Sequence, residues 1–113
     1  MGSVDAIGND VKKPGVTELA YTRTPLKASH SQMIAWHSVI RDLPEVTQPV
    51  LLLRSTVDHV VPVSSSALIL SRISSRDVTE VLLEDSYHVA TIDNDAPRIF
   101  DESAKFIDRI ALT

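Results

Sequence analysis

The chain has 113 residues, of which 43% are hydrophobic and 23% charged, which is enough for one small domain of ordinary globular composition. Its net charge of −4 and its scattered basic residues, with Lys12-Lys13 the only basic pair, argue against nucleic acid as a partner, because that needs a clustered positive face. The absence of cysteine excludes disulfides and thiolate metal sites, no apolar run approaches the roughly 18 residues of a membrane span, and the first residues lack a signal-peptide pattern, so a cytoplasmic location is the expectation.

Residues 1–28 are punctuated by Gly2, Gly8, Pro14, Gly15 and Pro25 and sustain no apolar period. They are expected to be irregular, with at most a short helical turn around Val16 to Tyr21. Ser29 then fits a helix cap. From His30 to Leu43 the residues Met33, Trp36, His37, Ile40 and Leu43 recur every three or four positions, which predicts a helix with one apolar stripe that Pro44 ends.

Pro49 opens the next unit. Val50-Leu51-Leu52-Leu53 is an unbroken apolar run of strand length. It does not alternate, so both faces are expected to be buried, as inside a parallel sheet. A polar loop follows from Thr56 to Pro62, and one of Ser64, Ser65 and Ser66 is expected to cap a second helix running to about Ile73. After a turn at Ser74 to Asp77, Thr79 to Glu84 reads as a second strand centred on Val81-Leu82-Leu83. A loop spans Asp85 to Asp95. In the last helix Pro97 suits the first turn, Asn94 or Asp95 the cap, and Ile99, Phe100, Ser103, Phe106, Ile107 and Ile110 form the apolar face.

The order is helix, strand, helix, strand, helix. It predicts an α/β fold with parallel strands and crossover helices. Two strands make a poor sheet by themselves, so the element count points to a portion of a larger fold.

In such sheets functional side chains sit on loops at the carboxyl ends of strands. Asp58 follows the first strand and His88 the second, so adjacent parallel strands bring them together. A carboxylate and an imidazole placed so can form the orienting half of a catalytic triad, with the acid accepting Nδ1–H and stabilising the imidazolium. His59 is expected to be exposed or structural, and Asp93 to bond loop backbone or begin the helix cap. His30 and His37 lie seven apart rather than the four of a helical metal pair, which favours packing and solvent contact. Ser86 is expected to point away from His88.

The residues now carry a resemblance. Pro49-Val50-Leu51-Leu52-Leu53-Arg54-Ser55-Thr56-Val57-Asp58-His59-Val60-Val61-Pro62 resembles the acid-loop segment of α/β-hydrolases, in particular bacterial carboxylesterases and monoacylglycerol-lipase-like enzymes, with their "D-x-x-V-P". Ser86-Tyr87-His88-Val89-Ala90-Thr91-Ile92-Asp93 resembles their "S-x-H-V-x-x-x-D" histidine loop. Tyr21, Pro25-Leu26 and Asp42-Leu43-Pro44 fit the stretch that leaves the cap of these enzymes, so the similarity covers roughly residues 17 to 110. It implies that residues 1–28 are a remnant of the cap exit and 29–113 the C-terminal hydrolase segment with the acid and histidine loops. It implies a serine carboxylic-ester hydrolase acting on an ester or acylglycerol, with Asp58 and His88 catalytic, Val60 and Val89 lining an acyl pocket, and no cofactor or metal. In this fold the nucleophile precedes the acid, in a Gly-x-Ser-x-Gly elbow. No such motif occurs here, and the oxyanion loop and first strands are absent by the same comparison, so the chain alone is expected to be inactive. The alternative is a non-catalytic remnant or binding module that associates through an open sheet edge.

Overall fold

The apolar run after Pro49 becomes the first of two central strands, β3 (Val50–Ser55), paired in parallel with β4 (Val78–Leu83). The register aligns Val50 with Val78 and Ser55 with Leu83, so both strands end at the same edge. The computed structural model that shows this describes residues 2–112; Met1 and Thr113, the outermost residues of the two expected segments, lie outside the described residues. Helix α2 (Val63–Arg72) connects the two strands, and α1 (Leu26–Asp42) and α3 (Ala96–Ala111) flank the unit in sequence. Short 3-10 turns lie at Leu43–Glu45 and Ala90–Ile92. The expected alternation of helices and parallel strands is therefore present.

The first 28 residues hold more structure than expected. Two three-residue strands, β1 (Ser3–Asp5) and β2 (Arg23–Pro25), pair antiparallel, and Arg23 clamps β1 through Ser3 Oγ, the Ser3 carbonyl and Asp5. No helical turn forms at Val16 to Tyr21. A boundary at residues 28 and 29 would cut α1 in its first turn.

Helix starts also differ from expectation. Helix α1 begins directly after Pro25, whose φ of −69° and ψ of 125° hold it extended. Ser29 therefore lies inside the helix, where its hydroxyl donates back to the Pro25 carbonyl. Helix α2 likewise follows Pro62, and no side chain caps it; Ser64, Ser65 and Ser66 fall within its first turns. Asp95 does stand at the N-cap of α3, but its carboxylate is used elsewhere and caps nothing.

Among the described residues the buried hydrophobic side chains are Leu43, Val81 and Leu83. Strand β4 thus buries alternate positions, with Leu82 largely outside, while β3 is half-buried along its length instead of covered on both faces. Two strands with few flanking elements do not enclose either face. The apolar stripe of α1 is likewise open, with Met33 and Trp36 exposed. On α3 the inward positions are Ile99, Ser103, Phe106 and Ile110, whereas Phe100 and Ile107 face out. Arg109 pins the far end of α3 by a paired contact to Asp77, just before β4. Leu83 is the most enclosed apolar side chain at 1% exposure. Its replacement by alanine is expected to cost about 3 kcal/mol in urea unfolding, from lost transfer energy plus the cavity left behind.

Candidate functional site

Because β3 and β4 are parallel and end level, the loops after Ser55 and Leu83 leave the sheet side by side. Ser55, buried at the tip of β3, donates its hydroxyl to the Tyr87 carbonyl at 2.7 Å, and the Thr56 N–H donates to the Leu83 carbonyl. These two bonds lock the loop roots together.

Asp58 then folds its loop around itself. One carboxylate oxygen, Oδ1, accepts the N–H groups of Val60 and Val61 at 2.8 and 2.7 Å. The other, Oδ2, lies 3.0 Å from Nδ1 of His88. Partial burial works against ionisation of Asp58, but the Val61 N–H, the His88 ring and the Val60 N–H outweigh it, and its pKa is lowered. With Nδ1 directed at the carboxylate, Nε2 is the ring nitrogen left to exchange a proton with a third group.

An open cavity of about 960 Å³ adjoins this pair. Its wall includes Asp58, His88, Leu53, Val61, Val63 and Val89. Of the two valines expected to line an acyl pocket, Val89 borders this space and Val60 does not, whereas its neighbour Val61 does. Ser86 is buried at 1% exposure and exchanges hydrogen bonds with Asp95, its hydroxyl donating to the carboxylate and accepting the Asp95 N–H. It is committed to the base of the histidine loop. His30 and His37 are exposed on α1.

The N-terminal segment contributes what the sequence did not reveal. Gly8, at φ +85°, turns the chain just before Asn9 and Asp10, a conformation that a side chain would strain. Pro14 and Gly15, the latter at φ +76°, turn it back with Val16 N–H on the Lys13 carbonyl. Residues 9–13 between the turns form a strap across both loops. Asp10 Oδ2 accepts the N–H of His59 and the N–H of His88 at 3.2 and 3.1 Å, and its Oδ1 lies 2.7 Å from His59 Nδ1. The Asp10 carbonyl accepts from Val89 N–H. In return Asp93, 1% exposed, accepts the N–H groups of Lys12, Lys13, Tyr87 and Asn94. The expected backbone role of Asp93 in its own loop is present, and it extends to the strap. The His59 ring meets Tyr87 edge-on, with centroids 4.7 Å apart.

Burial opposes ionisation of both Asp10 and Asp93. For Asp10 the His59 ring and the His88 and His59 N–H groups prevail; for Asp93 the four N–H donors do; both pKa values are lowered from the ordinary 3.8. A carboxylate whose folded pKa is depressed contributes stability that is complete above its unfolded value and is lost as pH falls through the folded one. Acid titration is therefore expected to release the strap below pH 3.8, seen by NMR as concerted shifts of the Lys12, Lys13, Tyr87, His59 and His88 amides. Independent, unlinked shifts would contradict a shared clasp.

Two parallel strands joined by a crossing helix, with an acid and an imidazole on neighbouring loops at their carboxyl edge, have the fold of part of an α/β-hydrolase. The chain is a relative of lipolytic members of that class. It is 38% identical over 108 residues to the thermostable monoacylglycerol lipase of Bacillus sp. (strain H-257), a match over 96% of this chain and 43% of that protein. A solved structure from work on LipS and LipT, two metagenome-derived lipolytic enzymes, superposes with a TM-score of 0.90 at 40% identity, over 95% of this chain and 44% of that one. The chain thus spans less than half the length of either. No family model matches it. Among the described residues, no helix is long and apolar enough to cross a membrane.

Proposed function

We propose that these residues supply the acid and the base of a serine carboxylic-ester hydrolase, and that the nucleophile and oxyanion donors come from sequence other than these 113 residues. The observation that carries the reading is the 3.0 Å contact between Asp58 Oδ2 and His88 Nδ1 at the shared edge of β3 and β4. The lipolytic relatives support an ester as substrate, and the apolar side chains beside His88 suit an acyl chain.

The chemistry follows from the free Nε2. It takes the serine proton as Oγ attacks the ester carbonyl, and Asp58 stabilises the imidazolium that results. Collapse of the tetrahedral intermediate breaks the bond to the alcohol, which leaves with that proton and gives an acyl-serine. Water then attacks the acyl-serine, giving its proton to Nε2, and the acid departs as serine recovers the proton. His88 therefore serves as base and acid twice in each turnover.

The chain contains no Gly-x-Ser-x-Gly, which supports a nucleophile supplied from elsewhere. A p-nitrophenyl ester assay tests the reading. The 113-residue chain is expected to show no turnover above background, and a polypeptide that joins it to a Gly-x-Ser-x-Gly segment of this fold is expected to hydrolyse the ester. Turnover by the chain alone that a serine-directed phosphonate abolishes would overturn the missing-nucleophile part. Failure of the longer polypeptide to act on any ester would overturn the whole.

A further inference from the structure

We propose that Asp10 is a positioning residue for the Asp58–His88 pair: from a strap outside both loops, its carboxylate holds the acid loop and the histidine loop in the register that lets the pair meet. The inference rests on the proposed ester-hydrolase function.

The bonds at the site divide by what they fix. The Ser55–Tyr87 and Thr56–Leu83 bonds fix the loop roots, before the reactive side chains. The Val60 and Val61 bonds to Asp58 shape the acid loop internally and say nothing of where His88 stands. Asp10 differs from both sets. A single oxygen, Oδ2, accepts from the backbone of His59, the residue next to Asp58, and from the backbone of His88 itself. Two N–H groups on one oxygen keep the two backbones within a few ångströms of each other at the level of the reacting side chains. The second oxygen takes the His59 ring, which bears edge-on on Tyr87 beside His88.

The clasp is also preloaded from its own side. Asp93 fastens the strap through the Lys12 and Lys13 N–H groups, and Lys12 Nζ reaches Asp85 at 2.6 Å. Asp10 is 8% exposed, so water does not readily replace it as acceptor. Removing its carboxylate leaves two backbone donors beside the pair without their partner. Their search for new acceptors moves His88 relative to Asp58. Positioning errors of about 1 Å at a reacting centre cost on the order of 100-fold in rate.

The substitution Asp10→Asn separates position from charge. Its amide oxygen can occupy the place of Oδ2 and accept both N–H groups, while its NH₂ donates to His59 Nδ1 in the other ring tautomer. Asp10→Ala cannot hold either loop. The test uses the ester-hydrolysing protein, with kcat expressed per active site counted by fluorophosphonate labelling, so that misfolded molecules do not enter. Asp10→Ala is expected to lower kcat by about 100-fold with KM within about twofold. Asp10→Asn is expected to stay within about threefold of the parent in kcat.

A second readout does not depend on turnover. The His88 Nδ1 proton, hydrogen-bonded to Asp58, is expected as a far-downfield NMR resonance that is absent in His88→Ala. It should broaden or vanish in Asp10→Ala and persist in Asp10→Asn. If Asp10→Ala does not fold, Asp10→Ser, whose hydroxyl is too short to span both amides, carries the same expectations. Parent-like kcat per site and an unchanged resonance in the Ala or Ser variant would overturn the proposal. Were His88→Ala to leave ester hydrolysis intact, the proposed function would fail instead, and the resonance would still report on the clasp.

Discussion

Replacing His88 with alanine in the ester-hydrolysing protein is expected to lower kcat by about 10⁶-fold, with KM little changed, because a triad base acts with its nucleophile as one unit. The size of the effect follows from the number of transfers that pass through one nitrogen. In the proposed mechanism Nε2 accepts and returns a proton in both acylation and deacylation, and a serine hydroxyl is a weak nucleophile without that help. The fold should tolerate the change: the His88 side chain is 37% exposed, and the loop is held by its backbone, through His88 N–H on Asp10 and Tyr87 N–H on Asp93. A melting midpoint close to the parent's, with turnover at background, is the expected pair of results. Progress curves on a p-nitrophenyl ester provide the measurement. Retention of more than a few per cent of activity would remove His88 from the reaction and leave Asp58 with nothing to orient.

The site was legible in the sequence where its logic is local, and hidden where it is not. Asp58 and His88 each sit a few residues beyond an apolar strand, and a parallel pair must bring such loops to one edge; strand, loop and side chain all lie within one short window. Asp10 offers no such window. Its partners are 49 and 78 positions away, and Gly8-Asn9-Asp10 reads locally as an ordinary turn. Asp93 shows the boundary between the two cases, since its bonds to Tyr87 and Asn94 are local and were expected, whereas those to Lys12 and Lys13 are not. The strands β1 and β2 escaped for a related reason. Three residues are too few to show an alternation, and their pairing is fixed by the Arg23 side chain across 18 to 20 positions. Helix starts failed by competition. Ser29 and the serines at 64–66 are good capping types, but Pro25 and Pro62 already hold the extended backbone from which a helix can begin. Burial was overestimated on β3 and α1 because an apolar stripe records what a residue is suited to touch, and fewer than half of the relatives' residues are here to touch it.

Asp58→Asn is the second large effect, and its outcome turns on the asymmetry of the carboxylate. Oδ1 accepts two backbone N–H groups, from Val60 and Val61. An amide at this position must put its carbonyl oxygen there, since the NH₂ would face two donors. The NH₂ then points at His88 Nδ1, 3.0 Å away in the parent, and donates to it. Nδ1 becomes the acceptor, so the neutral ring carries its proton on Nε2, the wrong nitrogen to receive one from serine. The expected result is a loss of about 10⁴-fold in kcat with the fold intact. The loss is smaller than for His88→Ala because the imidazole remains and its minor tautomer still works. Nitrogen-15 shifts of the His88 ring decide the matter directly: Nδ1–H in the parent, Nε2–H in the variant. Asp58→Ala separates the two roles of the carboxylate, since it removes the wrong donor but also frees the Val60 and Val61 amides. If Asp58→Asn retained both the parent tautomer and parent turnover, the pair would be a loop contact and the hydrolase reading would lose the bond on which it stands.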